Sequence, residues 1–94
     1  MAAYVIFIRE GEIADPEAMA AYKAAGAGQS TGNAKPLAVY GAMEALEGDL
    51  PDGVVILEFP NTTEARDWYN GPYKERAKLR QQAAPYRGFI VEGF

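Results

Sequence analysis

Apolar residues gather in four short runs, separated by polar or glycine-rich breaks. "AAYVIFIRE" (2–10) is rich in β-branched and aromatic residues and predicts a first strand. "DPEAMAAYKAAGAGQ" (15–29) changes to helical spacing, with Asp15 as N-cap, Pro16 at the first helical position and Glu17 in the first turn. Met19, Tyr22 and Gly26 recur along one stripe of that helix, and "GQSTGNAKP" follows as a loop. "PLAVYGAMEAL" (36–46) predicts a second strand with a bulge at Gly41, "EGDLPDG" (47–53) a turn, and "VVILEFP" (54–60) a third strand. Asn61 and Glu64 then open a helix in the manner of a capping box. Ala65, Trp68 and Tyr69 lie on one face of it, and Gly71-Pro72 ends it. "YKERAKLRQQAA" predicts another helix, up to Pro85, and "GFIVEGF" (88–94) a fourth strand.

This β-α-β-β-α-β order, with the second helix broken in two, predicts one α+β, ferredoxin-like domain over residues 1–94. Its four-stranded antiparallel sheet carries helices on one face. The other face should then alternate toward polar residues. Instead Tyr4, Ile6 and Ile8 oppose Val5 and Phe7, Val54 and Ile56 oppose Val55, Leu57 and Phe59, and Phe89 and Val91 oppose Ile90 and Phe94. Both faces are apolar, and one has no layer left to cover it. A second copy of the sheet is the simplest cover, so an isologous, face-to-face homodimer is expected.

Composition narrows the chemistry. The 94 residues contain no Cys and no His, which excludes thiolate nucleophiles and removes the commonest general base and transition-metal ligand. No metal or tightly bound cofactor is expected, and acid–base chemistry falls to Asp, Glu, Tyr or Lys. A net charge of −4 with scattered Lys and Arg argues against nucleic acid. No run suits a membrane span or a signal peptide, so a cytoplasmic location is the default.

Two charges stand out against this pattern. Counting from Tyr73 by helical spacing selects Ala77, Arg80 and Ala84, so Arg80 falls on an otherwise apolar helix face. Glu58 lies mid-strand on the face shared with Val54 and Ile56. Each needs a partner, and pairing them satisfies both, either as a structural ion pair or as a device that orients a polar substrate. Trp68 and Tyr69 read first as packing residues. Glu44 and Glu47 read as solvated, and Arg9, Tyr40 and Glu92 as pocket or rim groups that are individually ordinary. Arg66, Lys74, Lys78 and their Glu neighbours form a solvated helix face.

The stretches "GAMEALEGD", "VVILEFPNTTEARDWYNGPYKERAKLR" and "FIVEGF" resemble the domain-of-unknown-function family 1330, of the dimeric α/β-barrel superfamily. The family pattern falls here on Glu44 to Gly48, Glu58 to Pro60, Trp68-Tyr69, Tyr73 and Arg80. "GNAKPLAVYGAM" lacks the Arg that many members carry before or within the second strand. The resemblance implies the fold and a dimer. It also implies a small-molecule cavity between helices and sheet, with Tyr22, Trp68 and Tyr69 as wall residues.

Two functions follow as expectations. One is a metal- and cofactor-independent enzyme acting on a small carbonyl or anionic metabolite. Glu58 or Tyr73 would be its acid–base group, and Arg80 would hold an anionic or enolate-like oxygen. The other is a non-catalytic small-molecule-binding or regulatory module. The topology is shared with RNA-recognition domains, but the charge and the absence of a basic-Gly-aromatic strand argue against that use.

Overall fold

The computed structural model describes residues 1–26, 34–71 and 73–94. Its elements run β1 (Ala3–Arg9), α1 (Pro16–Gly26), β2 (Lys35–Val39), β3 (Gly53–Phe59), α2 (Thr62–Asn70), α3 (Lys74–Ala83) and β4 (Tyr86–Glu92). The strands form one antiparallel sheet in the order β2-β3-β1-β4, with β1 and β3 inside. This is the ferredoxin-like arrangement expected from the order of elements. Among the described residues, no helix is long and apolar enough to cross a membrane.

Local chemistry sets the helix starts as expected. Asp15 Oδ1 accepts from the Ala18 amide at 3.0 Å, and Asn61 Oδ1 accepts from the Glu64 amide at 2.8 Å. Each satisfies a donor that the first helical turn leaves free.

Register then decides which strand residues become core. Val5 faces Leu57 and Ile90 across the sheet, and Phe7 faces Val55 and Gly88. Ala3, Val5, Phe7 and Phe59 are buried on this face beneath Ala65, Trp68, Tyr73 and Ala77. The opposite face carries Tyr4, Ile6, Ile8, Val54, Ile56, Phe89 and Val91, none of them buried. Phe89 and Val91 are each 44% exposed.

Three boundaries differ from the sequence expectation. β2 stops at Val39, not near residue 46, because Tyr40 takes a φ of 52° and turns the chain out of the sheet. Its amide still donates to Val54 O at 2.9 Å. Residues 41–50 run on as an exposed arm, and the irregularity in the ladder lies between Pro36 and Ala38, not at Gly41. β4 begins at Tyr86, two residues early, since Pro85 keeps a carbonyl that accepts from the Glu10 amide at 2.9 Å. Phe94 lies beyond the strand and is fully exposed, so it does not join the covered face. Most of the expected loop "GQSTGNAKP" (28–36), residues 28–33, lies outside the described residues.

Candidate functional site

The stripe that begins at Tyr73 folds inward as its spacing predicts: Tyr73, Ala77, Arg80 and Ala84 are all buried. Arg80 alone among them carries charge, and it is only 3% exposed. Small neighbours on the same helix, Ala77 and Ala83, let α3 lie close enough to bring its guanidinium onto the sheet. The guanidinium carbon sits 4.1 Å from the centre of the Phe7 ring, 5.0 Å from Tyr86 and 5.8 Å from Tyr73. Nε and Nη1 are buried and, among the described residues, donate to no acceptor. Gly88 permits this approach. A Cβ there would lie 2.8 Å from Phe7 Cδ1 and 3.9 Å from Arg80 Nη1.

Four phenols lie in two pairs here, one ring of each pair, Tyr73 and Tyr86, beside the cation. The hydroxyls of Tyr22 on α1 and Tyr73 lie 2.5 Å apart, and those of Tyr40 and Tyr86 lie 2.7 Å apart. One turn before Arg80, Arg76 covers the rings of Tyr22 and Tyr73 at 4.7 and 5.2 Å. Tyr73 also stacks on Trp68, with ring centres 4.3 Å apart, and Trp68 packs on Phe59 at 5.3 Å. Trp68 is therefore core. Tyr69, half-buried, forms the wall of a cleft of about 290 Å³ with Val5, Phe7, Gly88 and Ile90.

Burial pushes the Tyr73 phenol well above its ordinary value, with the neighbouring Tyr22 adding to the rise. Burial likewise raises Tyr40, helped by its hydrogen bond to Tyr86. Both side chains are neutral hydrogen-bonding groups at physiological pH. A raised folded value means that the stabilisation is intact below the unfolded value of about 10 and is lost as pH climbs above it. Alkaline titration followed at 295 nm should therefore show the Tyr73 phenol lagging, then ionising as the fold opens. Six superimposable titrations near pH 10 would contradict this burial.

Glu58 is the correction. It is register partner to Tyr4 and Lys35, on the face with Val54 and Ile56, whereas Arg80 lies against Phe7 on the helix side. The sheet separates the two, so the expected Glu58–Arg80 pair does not form. Lys78–Glu75 and Arg87–Glu10 do form ion pairs, both of them exposed. The structure thus joins Arg80, Tyr73 and Tyr22, leaves Trp68 and Tyr69 beside them, and removes Glu58.

Sequence reasoning passed over Tyr86 and Arg76 and gave Tyr40 little weight. Tyr86 was hidden by a strand start placed two residues late. Arg76 was detectable, since it precedes Arg80 by one helical turn and follows Tyr73 by three positions.

Taken together, the site is one buried cation among neutral phenols, with no carboxylate among the described residues bonded to it. It attracts negative charge and offers hydrogen bonds. It contains no evident base.

Residues 2–94 match the model of DUF1330, a domain of unknown function, and the chain belongs to that family. Its fold resembles a crystal structure of the methylated RPA0582 protein, with a TM-score of 0.68 and 21% identity, covering 99% of this chain and 81% of that one. A structure of the RPA0582 protein of unknown function from Rhodopseudomonas palustris gives a TM-score of 0.65 at 21% identity, covering 99% and 82%. No curated protein matches the sequence significantly.

Proposed function

We propose that this protein binds a small organic anion, whose carboxylate or enolate-like oxygen is received by Arg80 and the phenols around it. One observation carries the reading: a guanidinium almost wholly removed from solvent has two nitrogens without an acceptor. Burying an uncompensated charge costs several kcal/mol, and an anion in the site offsets that cost. The enzyme reading keeps Arg80 as the group that stabilises a developing oxyanion. Proton abstraction, however, loses its candidate Glu58, and a phenol with a raised pKa donates a hydrogen bond more readily than it accepts a proton. Binding without proton abstraction is therefore the favoured use of the site.

The test is thermal stability with acetate, butyrate, pyruvate and oxalate as probes. An anion that binds only the folded state stabilises it by about 2.7 kcal/mol at a hundred times its Kd. Wild type should gain stability with at least one of these probes, and Arg80→Met with none. Indifference of the wild type to all four would remove the proposal.

The same reading extends to assembly. The slab is 18 Å thick, the depth of a sheet and one helix layer, and its apolar outer face is uncovered. The arm after Tyr40 adds Met43, Leu46 and Leu50 to the exposed surface. A second copy docked sheet to sheet covers these residues and completes a homodimer.

A further inference from the structure

A separate cavity opens where the end of β1 meets α1. It holds about 300 Å³, the lower end of the ~300–1,000 Å³ range of small-molecule sites. Arg9, Ile13, Met19, Lys23, Tyr40 and Asp52 line it, and Arg80 is not among them.

The lining carries charges of both signs, and among the described residues none of the three forms an ion pair. Arg9 Nη2 donates to the Asp52 backbone carbonyl at 3.0 Å, and the guanidinium carbon lies 5.6 Å from the centre of the Tyr40 ring. Arg9 Nε is buried and, among the described residues, has no acceptor. Asp52 thus meets Arg9 through its backbone, and its carboxylate takes no part in that bond. Lys23 is exposed on α1, and the buried Met19 with the half-exposed Ile13 supplies an apolar wall.

Tyr40 is strained and fixed at once. Its φ of 52° is left-handed, and its hydroxyl meets that of Tyr86 at 2.7 Å. Glycine at position 53 admits the ring, since a Cβ there would lie 2.7 Å from Tyr40 Cδ1. Residues held in such a conformation by their surroundings gather at ligand sites.

From these observations we infer that the cavity binds a small zwitterion with an apolar side group, a class whose compact members are the aliphatic α-amino acids. Its carboxylate meets Arg9 and Lys23, its ammonium meets Asp52, and its side group lies against Ile13 and Met19. The charge pattern selects this class. A plain carboxylate brings a like charge to Asp52, and a plain amine brings one to the two cations. A zwitterion answers both signs with charge-assisted hydrogen bonds. The site is independent of the Arg80 reading, because the simple acids that probe Arg80 lack the ammonium that Asp52 receives.

Calorimetry with leucine, valine and methionine tests the inference on wild type, Asp52→Asn, Lys23→Gln and Arg80→Met. Wild type should bind at least one of the three. That affinity should fall tenfold or more in Asp52→Asn and in Lys23→Gln, and stay unchanged in Arg80→Met. Asp52 and Lys23 are both exposed, and Asn at 52 keeps the backbone bonds to Arg9, so these two variants retain the fold and decide the matter even if Arg80→Met does not. In Arg80→Met, the counterparts of leucine that lack the amine or the carboxylate, 4-methylpentanoate and 3-methylbutylamine, should bind at least tenfold more weakly than the amino acid that binds. Failure of wild type to bind any of the three would overturn the site and leave the Arg80 reading standing. Binding untouched by Asp52→Asn and Lys23→Gln, or lost in a folded Arg80→Met, would overturn it too. So would a plain acid or amine that matches the amino acid. Amino-acid binding by a wild type indifferent to acetate, butyrate, pyruvate and oxalate would support this site and remove the Arg80 reading alone.

Discussion

Arg80→Met should make the unliganded protein more stable while abolishing its response to carboxylates. The two effects have one cause. In the folded state the guanidinium is withdrawn from water, and its Nε and Nη1 find no acceptor. The rings of Phe7, Tyr73 and Tyr86 return some of the cost, since cation–π interactions contribute roughly 0.5–2 kcal/mol each. They do not replace hydrogen bonds to water. Met has similar length, no charge and enough flexibility to fill the space beneath Ala77 and Ala83. Replacing buried charges with apolar groups of similar volume commonly stabilises by about 1–4 kcal/mol. With each ring contact at the low end of its range, about 1.5 kcal/mol together, the net change runs up to a gain of roughly 2.5 kcal/mol, or about 10–20 °C in Tm for a domain of this size.

Arg80→Lys separates charge from shape. It keeps the cation but loses the planar face and the fork of donors, so it should lose both stability and anion binding. Thermal melts at fixed protein concentration, with and without carboxylate, test both variants. If Arg80→Met melts well below wild type in the absence of ligand, the guanidinium is a structural element and its vacancies are not a binding site.

The position of Arg80 was legible in the sequence because helical spacing is a local property. Tyr73, Ala77 and Ala84 define a buried stripe, and an arginine within it stands out. Its surroundings were not legible. Tyr22 reaches Tyr73 from 51 residues away, and Tyr86 reaches Tyr40 from 46 residues away, pairings that the sheet and helix docking create. Glu58 shows how a period-two pattern can mislead. Alternation correctly grouped it with Val54 and Ile56, but pairing it with Arg80 required that face to lie under the helices. The register puts Val5, Phe7 and Phe59 there instead.

The second strand failed for a related reason. "VYGAMEAL" continues the apolar alternation of "PLA", and alternation reports burial without saying what does the burying. The left-handed Tyr40 ends pairing, and Met43 and Leu46 leave the sheet for an exposed arm. Apolar residues spaced along an exposed arm have the same signature as a strand.

Ile56→Asp should convert a dimer into a folded monomer. The outer sheet face presents Tyr4, Ile6, Ile8, Val54, Ile56, Phe89 and Val91, none of them buried, an apolar patch of the kind that marks a contact surface. Ile56 and its register partner Ile6 lie on the inner strands β3 and β1, on the uncovered face. Neither contributes to the buried core. Aspartate at position 56 should therefore leave the helix-side packing intact. In an isologous interface the substitution acts twice. Each lost isoleucine burial is worth about 1.5–3 kcal/mol, so association weakens by roughly 3–6 kcal/mol, or 10²–10⁴-fold. Sedimentation velocity across a range of concentrations would follow this shift, with far-UV circular dichroism confirming that the fold persists. A wild type that sediments as a monomer at tens of micromolar would sink the sheet-to-sheet assembly. Retention of a wild-type dimer by Ile56→Asp would place the interface elsewhere, and the apolar sheet face would then need a different cover.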